Sequence, residues 1–213
     1  MLRYMNAFRP AGREPMFNLP PMTAALIVTN LAVELVRMLL SEQQDLELIF
    51  RFGFVPVLYG HPGGPDAESL LAPLTYQFLH GGWLHVGLNM VSLAAFGSGV
   101  ERLFGPYRYL AYYLVCGVIA IAVHYFVFPT SQMPVIGASG AVSGVFGGVL
   151  ILLWRRGSGS LWVMGGLWIA MTVIFGIEPI TGTAEGPIAW QAHIGGFIAG
   201  LVTFRLFAPR HVW

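Results

Sequence analysis

Lysine is absent from this chain, and charge of either sign is scarce. All eleven basic residues are arginines, set singly or in pairs against ten acidic residues. Charged residues make up 10% of 213 positions, against roughly 25% in soluble domains. There is no polybasic tract, and a net charge of +1 gives no reason to invoke nucleic acid as a partner. The one cysteine, Cys116, lies inside an apolar run. An intramolecular disulfide is therefore excluded, and the thiol reads as a small buried hydrophobe. No internal repeat, low-complexity tract or composition break marks a second domain. Residues 1–20 carry Arg3, Arg9, Arg13 and Glu14 but no apolar core, so they do not read as a signal peptide. The first apolar run is followed by no small-residue cleavage site and is expected to be retained.

What the chain has instead is apolar length. It is 56% hydrophobic and 14% aromatic, with a mean hydropathy of +0.68, and a bilayer is the expected surrounding. A span needs about 20 mainly apolar residues. Six stretches meet or approach that length: 21–40, 84–100, 109–128, 135–154, 161–177 and 188–206. The expected fold is an all-α membrane protein of six transmembrane helices. Arginines flank the start of the first span, the second connection (Arg102, Arg108), the fourth (Arg155, Arg156) and the end of the sixth span (Arg205, Arg210). The opposite side carries Glu42, Asp45, Glu47, Asp66 and Glu68 against Arg51 alone, an uncharged connection at 129–134, and Glu178 and Glu185. The positive-inside rule then puts both termini in the cytoplasm. The expected organisation is a cytoplasmic segment at 1–20, one membrane domain at 21–208 and a cytoplasmic tail at 209–213.

The first outer loop, about 41–79, is too long to lack structure in a compact domain. Its 46–52 stretch mixes charge with large apolar side chains and suits the lipid–water boundary. His61 reads as a solvated residue in the Gly- and Pro-rich turn at 60–66. Glu34 and Arg37, three apart in the first span, read as an intrahelical ion pair with a structural role. Tyrosine and tryptophan near span ends read as an aromatic belt.

Spans two, four and six all begin on the outer side, and each carries polar residues near its start. At ~1.5 Å per residue, Ser139 is about 24 Å from the inner boundary at Arg155, His85 about 25 Å from Arg102, and Asn89 roughly 20 Å. His193 is about 18 Å from Arg205. All four share the outer half of the bilayer. Gly140, Gly144 and Gly148 on span four, with Gly196 and Gly200 on span six, form small-residue faces that allow close approach and place Ser139 beside His193. A serine hydroxyl becomes a nucleophile when a base within about 3 Å accepts its proton. Ser139 and His193 can form that dyad. His85 and Asn89, four apart on one helix face, can donate to an oxyanion, and the Ser139 N–H at a helix N-terminus can join them. Gly137, Ala138 and Gly140 would leave room for a substrate backbone. His80 reads as a support to this group or as a cap for the long loop, and His124 as an interfacial polar anchor.

These blocks together resemble the rhomboid intramembrane serine proteases. The resemblance rests on Gly137-Ala138-Ser139-Gly140, on His80-x4-His85-x3-Asn89, and on Ala192-His193-Ile194-Gly195-Gly196 with Gly200. Weaker echoes are Gly97-x3-Glu101 and the 109–117 run. The likeness covers about 75–206. It implies a rhomboid-like bundle with Ser139 as nucleophile, His193 as general base, His85 and Asn89 at the oxyanion, and His80 and Gly137 in support. It also implies hydrolysis of transmembrane segments of other proteins near their outer ends, with no metal and no organic cofactor. Two positions depart from the family pattern. Leu71-Ala72-Pro73-Leu74 stands where many members have a Trp-Arg pair, which bears on how the first loop is anchored. Ser143 stands where some have an aromatic residue packed on the catalytic histidine, and a Ser143 hydroxyl bond to a neighbouring helix is the expected substitute.

Rival readings are a small transporter, a haem-binding cytochrome using two of the histidines, and a non-catalytic rhomboid-like scaffold that binds membrane clients. A transporter predicts a polar path to the inner side, where spans two, four and six are apolar apart from Glu101 and terminal arginines. The expected home is a bacterial cytoplasmic membrane, with the site open to the extracytoplasmic side.

Overall fold

The structure is a computed structural model that describes residues 18–60, 62–157, 160–177 and 189–210. The expectations for Arg3, Arg9, Arg13, Glu14, His61, Glu178 and Glu185 lie outside the described residues. The described chain is helical. Its α-helices are α1 (Pro21–Arg37), α2 (Glu42–Phe52), the single turn α3 (Ala72–Thr75), α4 (Trp83–Phe104), α5 (Pro106–Val127), α6 (Ser139–Arg155), α7 (Leu161–Ile177) and α8 (Trp190–Phe207). Among the described residues the only extended pairing is one antiparallel bridge between Phe54 and Val135.

Local chemistry sets several helix limits. Pro21 opens α1 and Pro106 opens α5, at the position where the missing N–H has no intrahelical role. Gly105, at φ +78°, turns the chain from α4 into α5. Ser41 and Gln44 form a reciprocal capping box on α2, with Glu42 and Asp45 in its first turn and Arg51 in its last. Polar side chains inside the apolar helices mostly bond their own backbone: Asn30 donates to Leu26 O, Ser98 to Ala94 O and Thr203 to Ala199 O.

At 22 residues each, α4 and α5 are long and apolar enough to cross a membrane, and α6 and residues 162–172 of α7 are shorter apolar helices. The outside of the bundle is also apolar. Val28, Leu35, Leu88, Val91, Phe126, Trp162, Leu167, Val202 and Leu206 are all exposed, a surface that a water-soluble monomer rarely presents.

The core is organised around α6, which packs most extensively on α8, while α5 lies against both and α4 and α7 flank it. Alpha-carbon proximity here depends on glycine. A Cβ on Gly196 would lie 1.9 Å from the Gly140 carbonyl oxygen, and one on Gly200 would lie 2.0 Å from that of Gly144. Gly148 serves a different neighbour, because its missing Cβ is occupied by the Tyr112 hydroxyl and the Phe204 ring. The Tyr112 hydroxyl sits 2.9 Å from both the Gly144 and Gly200 carbonyls and bonds α5 to α6 and α8.

At the opposite end of α4 from His85, Glu101 is 2% exposed and accepts the Met22 N–H at 2.9 Å, the Thr23 N–H at 2.6 Å and the Thr23 hydroxyl at 2.7 Å. Its carboxylate therefore caps the N-terminus of α1, where donors are orphaned and the helix dipole favours an anion. Glu101→Ala is expected to cost about 3 kcal/mol or more, because three donors around one buried anion lose their acceptor. Thermal unfolding in detergent checks this, and a Tm within one degree of wild type would contradict it.

The first outer loop holds α2, three short 3-10 turns and α3. Arg51 pairs with Glu68 across it, and the Thr75 hydroxyl donates to Phe52 O at 2.7 Å. Asp66 accepts the Ser69 N–H at 2.7 Å, and that bond holds its carboxyl below the ordinary range. The stabilisation is present at neutral pH and is lost as pH falls through the folded-state value. Burial, with Asp66 close by, pushes the Tyr59 phenol up to about 12, and its hydroxyl donates to Ser69 O.

Candidate functional site

The site begins with a short extended segment. Val135 exchanges two hydrogen bonds with Phe54, at 2.8 and 3.0 Å, so the chain approaches α6 in extended form, and after a turn at Ala138 the helix starts at Ser139. Gly137 then takes φ +124°, a conformation that other residues rarely adopt. Its N–H donates to Tyr76 O at 2.9 Å, and the Ala138 N–H donates to His80 Nε2 at 3.3 Å. Both bonds come from the stretch before α4, so the first loop and the start of α6 are built against each other.

Ser139 Oγ lies 2.7 Å from His193 Nε2, between residues 54 apart in sequence. Ser139 is in the first turn of α6 and His193 in the first turn of α8. The glycine contacts set this distance, since Gly140 and Gly196 follow the two residues by one and three positions and touch each other. The Ser139 N–H belongs to the group of first-turn donors that have no intrahelical acceptor.

His85 approaches from α4. Its Nδ1 accepts the Gly81 N–H at 3.2 Å, and its ring meets the His80 ring edge-on with centroids 5.0 Å apart. The empty Cβ position of Gly137 is 2.9 Å from His85 Nε2 and 3.6 Å from Ser139 Oγ, so both atoms flank one point. Asn89 is buried one turn further along α4 and donates through Nδ2 to His85 O at 3.0 Å. The amide carries a second N–H beyond that bond. His80 is fully buried and contributes its Nε2 to Ala138 rather than to Ser139.

Two expectations change. Ala138 and Gly140 leave no room for a substrate: Ala138 is fully buried, and a Cβ on Gly140 would sit 2.8 Å from the Ala120 methyl. Ser143 does not bond a neighbouring helix; its hydroxyl donates to Ser139 O of its own helix at 2.7 Å. His124, read as a polar anchor, is buried in the last turn of α5 with its side chain towards Gln191. The hollow between α2 and residues 58–69, lined by Glu47, Arg51, Asp66 and Glu68, contains none of these site residues.

Sequence reasoning missed Tyr76 and Gly81. They act through backbone atoms, which leave no mark on residue type. The Tyr76 hydroxyl also donates to Gly117 O at 2.7 Å, fixing this stretch to α5. Gly137→Ala is expected to lower any activity of the site at least about tenfold, because it adds a Cβ at positive φ against His85 Nε2. Turnover at unchanged expression checks this, with Gly63→Ala, open to solvent, as the neutral comparison.

Fold and site together define an all-helical protein with an apolar exterior and a serine–imidazole pair at the mouths of two touching helices. A Rhomboid domain matches residues 67–210. The chain therefore belongs to the rhomboid family, whose members are membrane-embedded and commonly intramembrane serine proteases. It is 35% identical over 143 residues to Rhomboid protease GluP of Bacillus subtilis, covering 64% of this chain and 27% of that protein. It is 32% identical over 162 residues to RHOMBOID-like protein 4 of Arabidopsis thaliana, covering 71% and 39%. To Rhomboid-type serine protease 2 of Emericella nidulans it is 28% identical over 175 residues, covering 76% and 32%. The aligned part thus spans less than two fifths of each of these relatives.

Proposed function

We propose that this chain is an intramembrane serine endopeptidase in which Ser139 is the nucleophile and His193 the general base. The observation that carries the reading is the 2.7 Å contact between Ser139 Oγ and His193 Nε2. His193 takes the hydroxyl proton as Oγ attacks a peptide carbonyl carbon, then passes that proton to the departing amine. The resulting acyl-enzyme is hydrolysed by water, which His193 deprotonates in turn. The developing oxyanion lies within reach of the Ser139 N–H, His85 Nε2 and the second N–H of Asn89. His80 supports the group by holding Ala138, and Gly137 by admitting His85. The mechanism needs neither metal nor organic cofactor.

The substrate class is a transmembrane segment of another protein. A helical peptide bond hides its carbonyl, and glycine, proline or polar residues make local unwinding less costly. In this reading α1, α4, α5, α6, α7 and α8 cross a cytoplasmic membrane as one domain over 21–208. The arginine distribution puts both termini in the cytoplasm and the site towards the extracytoplasmic face.

The test is phosphonylation by a fluorophosphonate probe of the full chain in micelles, with the adduct mapped by mass spectrometry. A single adduct on Ser139 that is lost in His193→Ala is the expected result. A folded chain that binds a transmembrane client and never takes the label would instead be a scaffold.

A further inference from the structure

Arg37, the last residue of α1, is 8% exposed and makes four hydrogen bonds. Its Nη1 pairs with Glu34 Oε2 at 3.0 Å, and its Nε and Nη2 grip Asp45 of α2 at 2.7 and 2.9 Å. Two carboxylates compensate one guanidinium, which explains the buried charge. They do not explain a further bond, from Nη1 to the carbonyl oxygen of His80 on the far side of the first loop.

That carbonyl belongs to the peptide unit whose N–H is on Gly81, and the Gly81 N–H donates to His85 Nδ1 at 3.2 Å. A cationic donor on a peptide oxygen draws density through the conjugated C–N bond and makes the N–H of the same unit a stronger donor. A neutral imidazole that accepts at Nδ1 carries its proton at Nε2. His85 Nε2 is the atom that faces the empty Cβ position of Gly137, beside Ser139 Oγ. The segment that Arg37 grips also carries His80, whose ring accepts the N–H of the residue before Ser139.

We propose that Arg37 is a positioning residue that holds His85 in its Nε2–H form, ready to donate towards Ser139, by acting through the single peptide unit between His80 and Gly81. The importance of that donor rests on the endopeptidase reading, whereas the tautomer can be observed without turnover. Arg37 touches neither Ser139 nor a substrate carbonyl, and its influence reaches the site through two hydrogen bonds and one amide.

Long-range proton–nitrogen correlation spectra of the full chain, with 15N-histidine in micelles, read the tautomer directly, the His85 signals being assigned by their loss in His85→Gln. Wild type should show a protonated Nε2 and an accepting Nδ1. In Arg37→Leu/Glu34→Gln, which removes the donor and neutralises the more buried of the two carboxylates left behind, the signals should move to a mixture of both tautomers. The kcat on a transmembrane reporter should fall about tenfold, with KM within about twofold. Arg37→Lys, which restores a cation facing the His80 carbonyl, should recover most of both. Asp45→Asn loosens α2 while leaving the Arg37–His80 bond, and should leave the tautomer unchanged. If leucine costs the helical fold, Arg37→Gln/Glu34→Gln is read in its place, with a smaller shift in the same direction. An unmoved tautomer in a folded double variant overturns the proposal, as does an equal shift in Asp45→Asn. Should the tautomer shift as described in a chain that never cleaves a reporter, the positioning role stands and the endopeptidase reading falls.

Discussion

Ser139→Ala and His193→Ala are each expected to reduce cleavage of a transmembrane reporter in liposomes by about 10⁴-fold or more, and the double variant to be no worse than either. The reason is the shared proton. With Ser139 Oγ 2.7 Å from His193 Nε2, neither group has a chemical role without the other, so removing one already removes the step. Both changes should leave the fold in place. Ser143 bonds the backbone carbonyl of Ser139 rather than its hydroxyl, and the helix contacts near His193 are made by Gly195 and Gly196. Initial rates measured at matched Tm check this. Losses that multiply in the double variant would mean that the residues act independently and would remove the dyad.

Gly200→Ala and Gly196→Ala are expected to have the largest structural effects in the molecule, about 3 kcal/mol or more each, together with loss of activity. A methyl at either position would lie within 2.0 Å of a carbonyl oxygen of α6. A backbone atom cannot rotate away as a flexible side chain can. The helices must therefore separate, and the Ser139–His193 distance opens with them. Gly166→Ala on α7 is the internal control: nothing lies within 4 Å of its Cβ position, so the same change should be neutral or gain up to about 1 kcal/mol from helix propensity. Thermal unfolding and fluorophosphonate labelling of the three variants separate the outcomes. A stable, labelled Gly200→Ala would show that the contact between α6 and α8 is not what holds the pair together.

Much of the helical architecture was legible because apolar length and charge placement are local properties of the chain. The stretches at 21–40, 84–100, 109–128, 135–154, 161–177 and 188–206 each coincide with the body of a helix. Their limits differ where a charged or extended residue has a distant partner. The second stretch reads as ending before Glu101, yet α4 runs to Phe104 because that carboxylate is buried against the α1 N-terminus. The fourth reads from 135, yet the helix starts only at Ser139, because Val135 pairs with Phe54 and the chain turns at Gly137 and Ala138. The first reads as far as residue 40, yet α1 stops at Arg37, whose side chain joins Glu34, Asp45 and His80. The absent Trp-Arg pair at 71–74 left the loop without an evident anchor. An arginine from α1 now appears in that role, a substitution that no local pattern could announce.

Residue order alone determined that the chain is apolar, helical and punctuated by arginine, and that serine, histidine and small residues recur at helix starts of similar depth. These follow from periodicity and solubility, which each segment carries by itself. The glycine spacing already set Ser139 beside His193, but only the tertiary structure decided the distance between them and which backbone atoms the other histidines meet: His85 on Gly81, His80 on Ala138. Those contacts depend on ångström-scale helix separations and on backbone donors, and both are set by packing across the whole bundle rather than by the identity of neighbours in sequence.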